Sequence, residues 1–140
     1  MEETVYWYAL SAVLLFFKML PVSVYQGYHR IGKMTFRTPE DAAYMGRQPA
    51  SEELPQVQRA ARAWQNDLEN IPAFLALGVA YVWVGASPAA AAWLFPTFIA
   101  ARYLHTLFYL AGLQPWRTLA YTVGIVCMGV MSYQILASLP

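Results

Sequence analysis

The sequence predicts an all-α, integral membrane four-helix up-down bundle. Composition, the length of its apolar stretches and the shortness of two connections predict it. Of 140 residues, 59% are hydrophobic and 12% charged, against roughly 45–50% and about 25% in soluble globular domains. Mean hydropathy is +0.36. A small soluble domain exposes most of its surface and needs more charge than this to stay dissolved. A formal net charge of +1 argues against a basic nucleic-acid binder. The length allows one domain, 1–140.

A spanning helix needs about 20 mostly apolar residues. The first is expected over about 4–34, with Lys18 the only charge in its apolar body. The acidic start, Glu2-Glu3, lacks the positive segment of a cleaved secretory signal, so this stretch is expected to be a retained anchor. The second is expected over about 56–85, because its apolar body from Ile71 to Ala86 is too short to span alone. The third, about 88–112, opens with Ser87-Pro88, a capping serine followed by proline at the first helical position. The fourth, about 115–138, opens by the same proline logic at Gln114-Pro115. Pro72 and Pro96 fall inside helices and are expected to kink them.

The short gaps after the second and third helices make neighbours antiparallel. The long connection, Arg30 to Pro55, contains Thr38-Pro39-Glu40-Asp41, which reads as a helix start. Arg30, Lys33, Arg37, Arg47, Arg59 and Arg62 lie in or beside this connection, and Arg117 lies in the third. The positive-inside rule then places both connections in the cytoplasm and both termini outside. The alanine-rich chain with no targeting signal points to a bacterial inner membrane; in a eukaryotic cell the endoplasmic reticulum is expected. The single cysteine, Cys127, sits in an apolar run and is expected to be a small core residue.

Polar residues inside apolar spans are costly and carry the functional signal. Arg59, Arg62, Asn66 and Glu69 share one face of the second helix. Arg102, His105 and Tyr109 share one face of the third, and Arg117, Thr118 and Tyr121 open the fourth. With Arg30 at the end of the first helix, these stripes share one depth near the cytoplasmic side. One reading makes them cationic helix ends that snorkel to headgroups, a description that Arg30 and Arg102 each fit. The other makes them the lining of a pocket. Arg117 favours the second, because a cation in a helix's first turn opposes the macrodipole, whereas a helix N-terminus with an added arginine suits an anion. Arg30, Arg62 and Arg117 would take negative groups, Asn66, His105, Tyr109 and Tyr121 would give neutral hydrogen bonds, and Glu69 would hold an ammonium. A ligand with carboxylates, an amine and a third negative centre matches. No metal-ligand spacing, phosphate loop or nucleophile elbow occurs.

Several segments resemble the MAPEG family, the membrane-associated proteins in eicosanoid and glutathione metabolism. They are Arg62-Ala-Trp-Gln-Asn66-Asp67-Leu-Glu69-Asn-Ile, Pro39-Glu40-Asp41, Ala101-Arg102-Tyr-Leu-His105-Thr-Leu-Phe-Tyr109-Leu, and Pro115-Trp-Arg117-Thr118-Leu-Ala-Tyr121. The resemblance runs from about Tyr28 onward. It is greatest to the branch holding microsomal glutathione transferase and microsomal prostaglandin E synthase. It implies a four-helix protomer assembled as a homotrimer, with glutathione bound between protomers near the cytoplasmic face. Carried over by position, Arg30, Arg62, Asn66, Glu69, His105, Tyr109, Arg117, Thr118 and Tyr121 are glutathione-pocket residues. Arg117 and Thr118 would be catalytic, stabilising the thiolate.

The implied activity is a glutathione S-transferase or glutathione-dependent peroxidase of detoxification. It would act on lipophilic electrophiles or hydroperoxides arriving from the bilayer lipid. The alternatives are a glutathione-dependent, prostaglandin E synthase-like isomerase of eicosanoid metabolism, or a scaffold whose polar stripes only hold protomers together. Asp41 matches an aspartate proposed to handle protons in the isomerase and is the third catalytic candidate, although it equally suits a helix start. Thr118 stands where that enzyme has serine, Gln65 where it has arginine, and Ile125 where it has glutamine. These departures point away from isomerisation.

Overall fold

Helices account for the regular structure of the computed structural model, which describes residues 2–140; among these there is no strand. Four helices are long: α1 (Glu2–Lys33), α3 (Pro55–Trp83), α4 (Pro88–Ala111) and α5 (Trp116–Ala137). A short helix, α2 (Pro39–Tyr44), lies in the connection after α1. Proline sets three of the starts. Pro39, Pro55 and Pro88 each open a helix, where their missing N–H would be unpaired in any case. Ser87 caps α4 by accepting from the Ala90 N–H at 3.3 Å. Pro115 instead stands at the cap of α5, one residue before the first helical turn. Helix α4 ends at Gly112 in the left-handed conformation, φ 71°. Helices α1, α3 and α4 run on through Pro21, Pro72 and Pro96.

Cross-helix contacts fix the directions. In α1 and α3, Lys18 meets Asp67 while Tyr8 abuts Gly78. In α3 and α4, Phe74 stacks on Phe98 at 3.9 Å between ring centroids, and Arg59 reaches the Leu110 carbonyl. In α4 and α5, Phe98 lies against Gly124 and the Tyr109 ring beneath Arg117. Each of these pairs is antiparallel. Helix α1 also packs on α4, where the Tyr103 hydroxyl donates to the Leu14 carbonyl at 2.9 Å. Helices α1 and α5 make no contact with each other and so form opposite flanks. This arrangement puts the C-terminal ends of α1 and α4 beside the N-terminal ends of α3 and α5, bringing the polar stripes to one end.

The middle and far end are aromatic and apolar. Leu15, Phe74, Tyr81, Leu94, Phe95, Phe98 and Met131 are fully buried, and Cys127 is packed among them. The outward faces are apolar too, with Phe16, Phe17, Val24, Ile31, Val126 and Leu136 exposed. Such a surface is unsuited to water. Helices α1 and α5 are long and apolar enough to cross a membrane. Helices α3 and α4 carry Arg59, Arg62, Asp67, Glu69, Arg102 and His105 within their length.

One expectation is corrected. Arg102 does not snorkel: it is 1% exposed and turned inward onto Asp67 and Asn66. A buried guanidinium needs carboxylate and carbonyl oxygens, and α3 supplies one of each to Nη2, while Nε is buried without a partner among the described residues.

The α1–α3 crossing depends on Gly78. A Cβ there would lie 2.7 Å and 2.8 Å from Tyr8 ring carbons. Gly78→Ala is expected to lower stability by about 1–3 kcal/mol, the usual range for overpacking, as read by thermal unfolding in detergent. An unchanged melting temperature would show that Tyr8 swings aside freely.

Candidate functional site

Two adjoining cavities open at the polar end and share Tyr109 and Arg117 as a common wall. The first, about 400 Å³, is lined by Pro55, Gln58, Arg59, Arg62, Tyr109, Gly112 and Arg117. The second, about 250 Å³, is lined by Asn66, His105, Tyr109, Arg117, Thr118 and Tyr121. Each wall has a local cause. The first turns of α3 bring Arg59 and Arg62, three residues apart and so on one face. The last turns of α4 bring His105 and Tyr109 by the same periodicity. The first turns of α5 bring Arg117, Thr118 and Tyr121.

Arg117 is held from two sides. Its guanidinium lies 4.5 Å from the Tyr109 ring centroid, a cation–π contact. The Gln114 amide, oriented to satisfy both neighbours, accepts from Arg117 Nε at 3.1 Å and donates to Thr118 Oγ1 at 3.0 Å. This arrangement leaves the Thr118 hydroxyl hydrogen free to donate elsewhere. Arg59 Nη1 donates to the Leu110 carbonyl at 3.2 Å, satisfying the end of α4. Gly112 beside it is favoured by its left-handed φ of 71°, and a Cβ there would press on the flexible end of Arg59, 2.9 Å from Nη1.

His105 is 3% exposed and forms the floor of the second cavity, its ring centroid 5.5 Å from Tyr109 and 6.2 Å from Tyr121. Its Nδ1 is buried without a hydrogen-bond partner. The electrostatic character is plain. Arg59, Arg62 and Arg117 face the first cavity with no carboxylate among its lining residues, at the positive end of α5. An anion with several acceptor oxygens fits, and His105 Nδ1 offers one further polar contact.

Arg62, Asn66, His105, Tyr109, Arg117, Thr118 and Tyr121, expected from sequence to share a pocket, line these two cavities. Arg30, Asp41 and Glu69 do not. Arg30 and Asp41 line a separate, mostly apolar cavity of about 320 Å³ between the end of α1 and α2. There Arg30 is paired with Glu53, donating through Nη2 at 2.6 Å and Nε at 3.0 Å. Glu69 is exposed on α3, one turn beyond Asn66, with Gln65 Nε2 3.5 Å from its carboxylate. Gln58, Gln114 and Arg59 enter the site without having been assigned to it from sequence. Arg59 was visible in the α3 stripe. Gln114 carried no signal beyond its place before a proline.

The model of the MAPEG family matches residues 8–137. The chain belongs to the MAPEG family. Prostaglandin E synthase of Bos taurus is 39% identical over 129 residues, covering 91% of this chain and 84% of that one. Prostaglandin E synthase of Homo sapiens is 37% identical over 130 residues, covering 92% and 86%. Microsomal glutathione S-transferase 1 of Homo sapiens is 34% identical over 142 residues, covering 98% and 92%. MAPEG membership, with the exposed apolar faces of α1 and α5, marks a membrane protein. The MAPEG match spans both cavities and every residue that lines them.

Proposed function

We propose that this chain is a membrane-bound glutathione S-transferase that also reduces hydroperoxides, acting on lipophilic substrates that reach the site from the bilayer. The observation that carries the reading is Arg117. It stands where the two cavities join, at the N-terminus of α5, with the Thr118 hydroxyl beside it. Glutathione has two carboxylates, an ammonium and a thiol. Arg59 and Arg62 bind carboxylates in the first cavity. Arg117 and Thr118 face the sulfur in the second.

A free thiol ionises near 8.5, and only the thiolate is a good nucleophile. Lowering that pKa by about two units needs about 2.7 kcal/mol of preference for the anion. A guanidinium and a hydroxyl are groups of the right kind, because both are in place before charge develops. The thiolate sulfur then bonds to the electrophilic carbon of the second substrate and its leaving group departs. With a hydroperoxide, sulfur attacks the outer oxygen and a second glutathione completes the reduction to alcohol, water and glutathione disulfide.

In this reading residues 1–140 form a single transmembrane domain whose four long helices all span the bilayer. The long connection and the α4–α5 turn face the cytoplasm and both termini lie outside. The positive residues around Arg30–Arg62 and at Arg117 support that orientation. The membrane is a bacterial inner membrane, or the endoplasmic reticulum in a eukaryotic source. The protomers form a homotrimer, and Arg30, Asp41 and Glu69 complete the site at the boundary between neighbours. Support comes from the exposure of Glu69 one turn from Asn66 and from the opening of both cavities at the protomer surface.

A second reading, a glutathione-dependent isomerase of an endoperoxide, is favoured by the identity to prostaglandin E synthases. It needs a proton-handling group near the sulfur, and within one chain Asp41 lies in a different cavity from Arg117.

Purified protein given glutathione with 1-chloro-2,4-dinitrobenzene, cumene hydroperoxide or prostaglandin H2 in turn separates these readings. Conjugation and peroxide reduction are expected. Isomerisation alone would reverse the order of the two readings, and no turnover with no glutathione binding would overturn both. Thr118→Val is expected to lower the conjugation rate about 10- to 100-fold by removing one charge-assisted hydrogen bond, while Thr118→Ser retains it. A normal thiolate absorbance band in Thr118→Val would take the hydroxyl out of the mechanism.

A further inference from the structure

Behind the second cavity, toward α1, lies a cluster that the proposed reaction does not use. Asp67 is fully buried, Lys18 is 4% exposed and Arg102 1%. The Asp67 carboxylate accepts from the Lys18 ammonium through Oδ2 and from Arg102 Nη2 at 2.7 Å through Oδ1. The same Arg102 nitrogen donates to Asn66 Oδ1 at 2.7 Å. A guanidinium has donors only, so the oxygen of the Asn66 amide is the end that must face it. The amide nitrogen is the end left for the cavity, which Asn66 lines beside His105. Arg102 therefore converts an ambivalent side chain into a donor.

The charges do not balance. Two cations share one carboxylate, so the cluster holds surplus positive charge. Charge buried at low dielectric acts on an anion in the adjoining cavity far more strongly than it would through water. As a stabilising device such a cluster is poor, since apolar side chains of similar volume are often as stable or more so.

We infer that Asp67 and Arg102 are positioning residues that act through Asn66, and that Lys18 with Arg102 sets positive charge behind it, so that the second cavity selects an anionic group of glutathione. The inference rests on the glutathione reading above.

Glutathione binding is measured in Arg102→Lys, Asn66→Ala and the double variant. Lysine keeps the charge, but its shorter side chain ends before the Nη2 position from which both Asp67 and Asn66 are held. Arg102→Lys is expected to weaken binding about tenfold when Asn66 is present, and to have no further effect once Asn66 is alanine. Equal losses in both backgrounds, or no loss in the first, overturn the inference.

Should Arg102→Lys fail to fold, Lys18→Met removes the surplus charge and leaves the Asp67–Arg102 pair. Its expected signature is glutathione binding weakened about fivefold or more and a smaller thiolate band at fixed pH, both restored by Lys18→Arg. A change in melting temperature alone, with both glutathione signals unchanged, overturns the inference. Wild-type protein that fails to bind glutathione overturns the underlying reading as well. Binding wild type with unaffected variants overturns this inference alone.

Discussion

Arg117→Ala is expected to lower kcat/KM for glutathione conjugation about 100- to 1,000-fold, the loss of about 2.7–4 kcal/mol typical of removing one preorganised donor from a developing anion. The side chain has no structural task that would confuse the result. It is half-buried, makes no ion pair, and touches the rest of the protein through the Tyr109 ring face and the Gln114 amide. As a cation in the first turn of α5 it works against the helix dipole, so alanine is expected to leave helix content and melting temperature unchanged or slightly improved. The thiolate absorbance band should vanish at neutral pH while weak glutathione binding persists through Arg59 and Arg62. A full thiolate band in Arg117→Ala would remove this residue from the chemistry. Loss of assembly with unchanged thiolate formation would make it an assembly residue instead.

Arg117 was legible in the sequence because its conflict is local. A proline marks the helix start, and an arginine two residues later sits where a cation is unfavourable. The starts at Pro39 and Pro88 were legible for the same reason, since a start signal is decided by three or four consecutive residues, whereas the start at Pro55 followed from the length a span needs. Arg102 was not. On α4 it lies one turn from His105 and reads as part of the same stripe. Its inward turn is decided by Asp67, 35 positions away and on another helix. Asp67 follows Asn66 directly, so its side chain leaves α3 about 100° around from the stripe and was assigned to no pocket. Lys18 registered only as a lone charge in an apolar run. Arg30 and Glu69 were placed in the pocket by the common depth of the polar stripes and Asp41 beside the chemistry by family resemblance, and the geometry of one chain does not bring them there.

The largest loss of stability is expected from Asp67→Leu. The substitution leaves Lys18 and Arg102 buried without a counter-charge, and breaking a buried pair from one side typically destabilises by about 3–5 kcal/mol. That is a large part of a domain's total stability of about 5–15 kcal/mol, so the variant is expected to accumulate poorly and to melt far below wild type in detergent. The triple variant Lys18→Met, Asp67→Leu, Arg102→Met should recover most of the loss, because no charge then remains buried there. Its Asn66 amide is no longer held by Arg102 and turns freely, and the positive charge behind the cavity is gone. The triple variant is therefore expected to be stable yet bind glutathione weakly. Stability and affinity separate in that comparison, as they must if the cluster serves the site. A triple variant that regains both would reduce the cluster to packing. One that regains neither would show that α1, α3 and α4 need these charges to find their register.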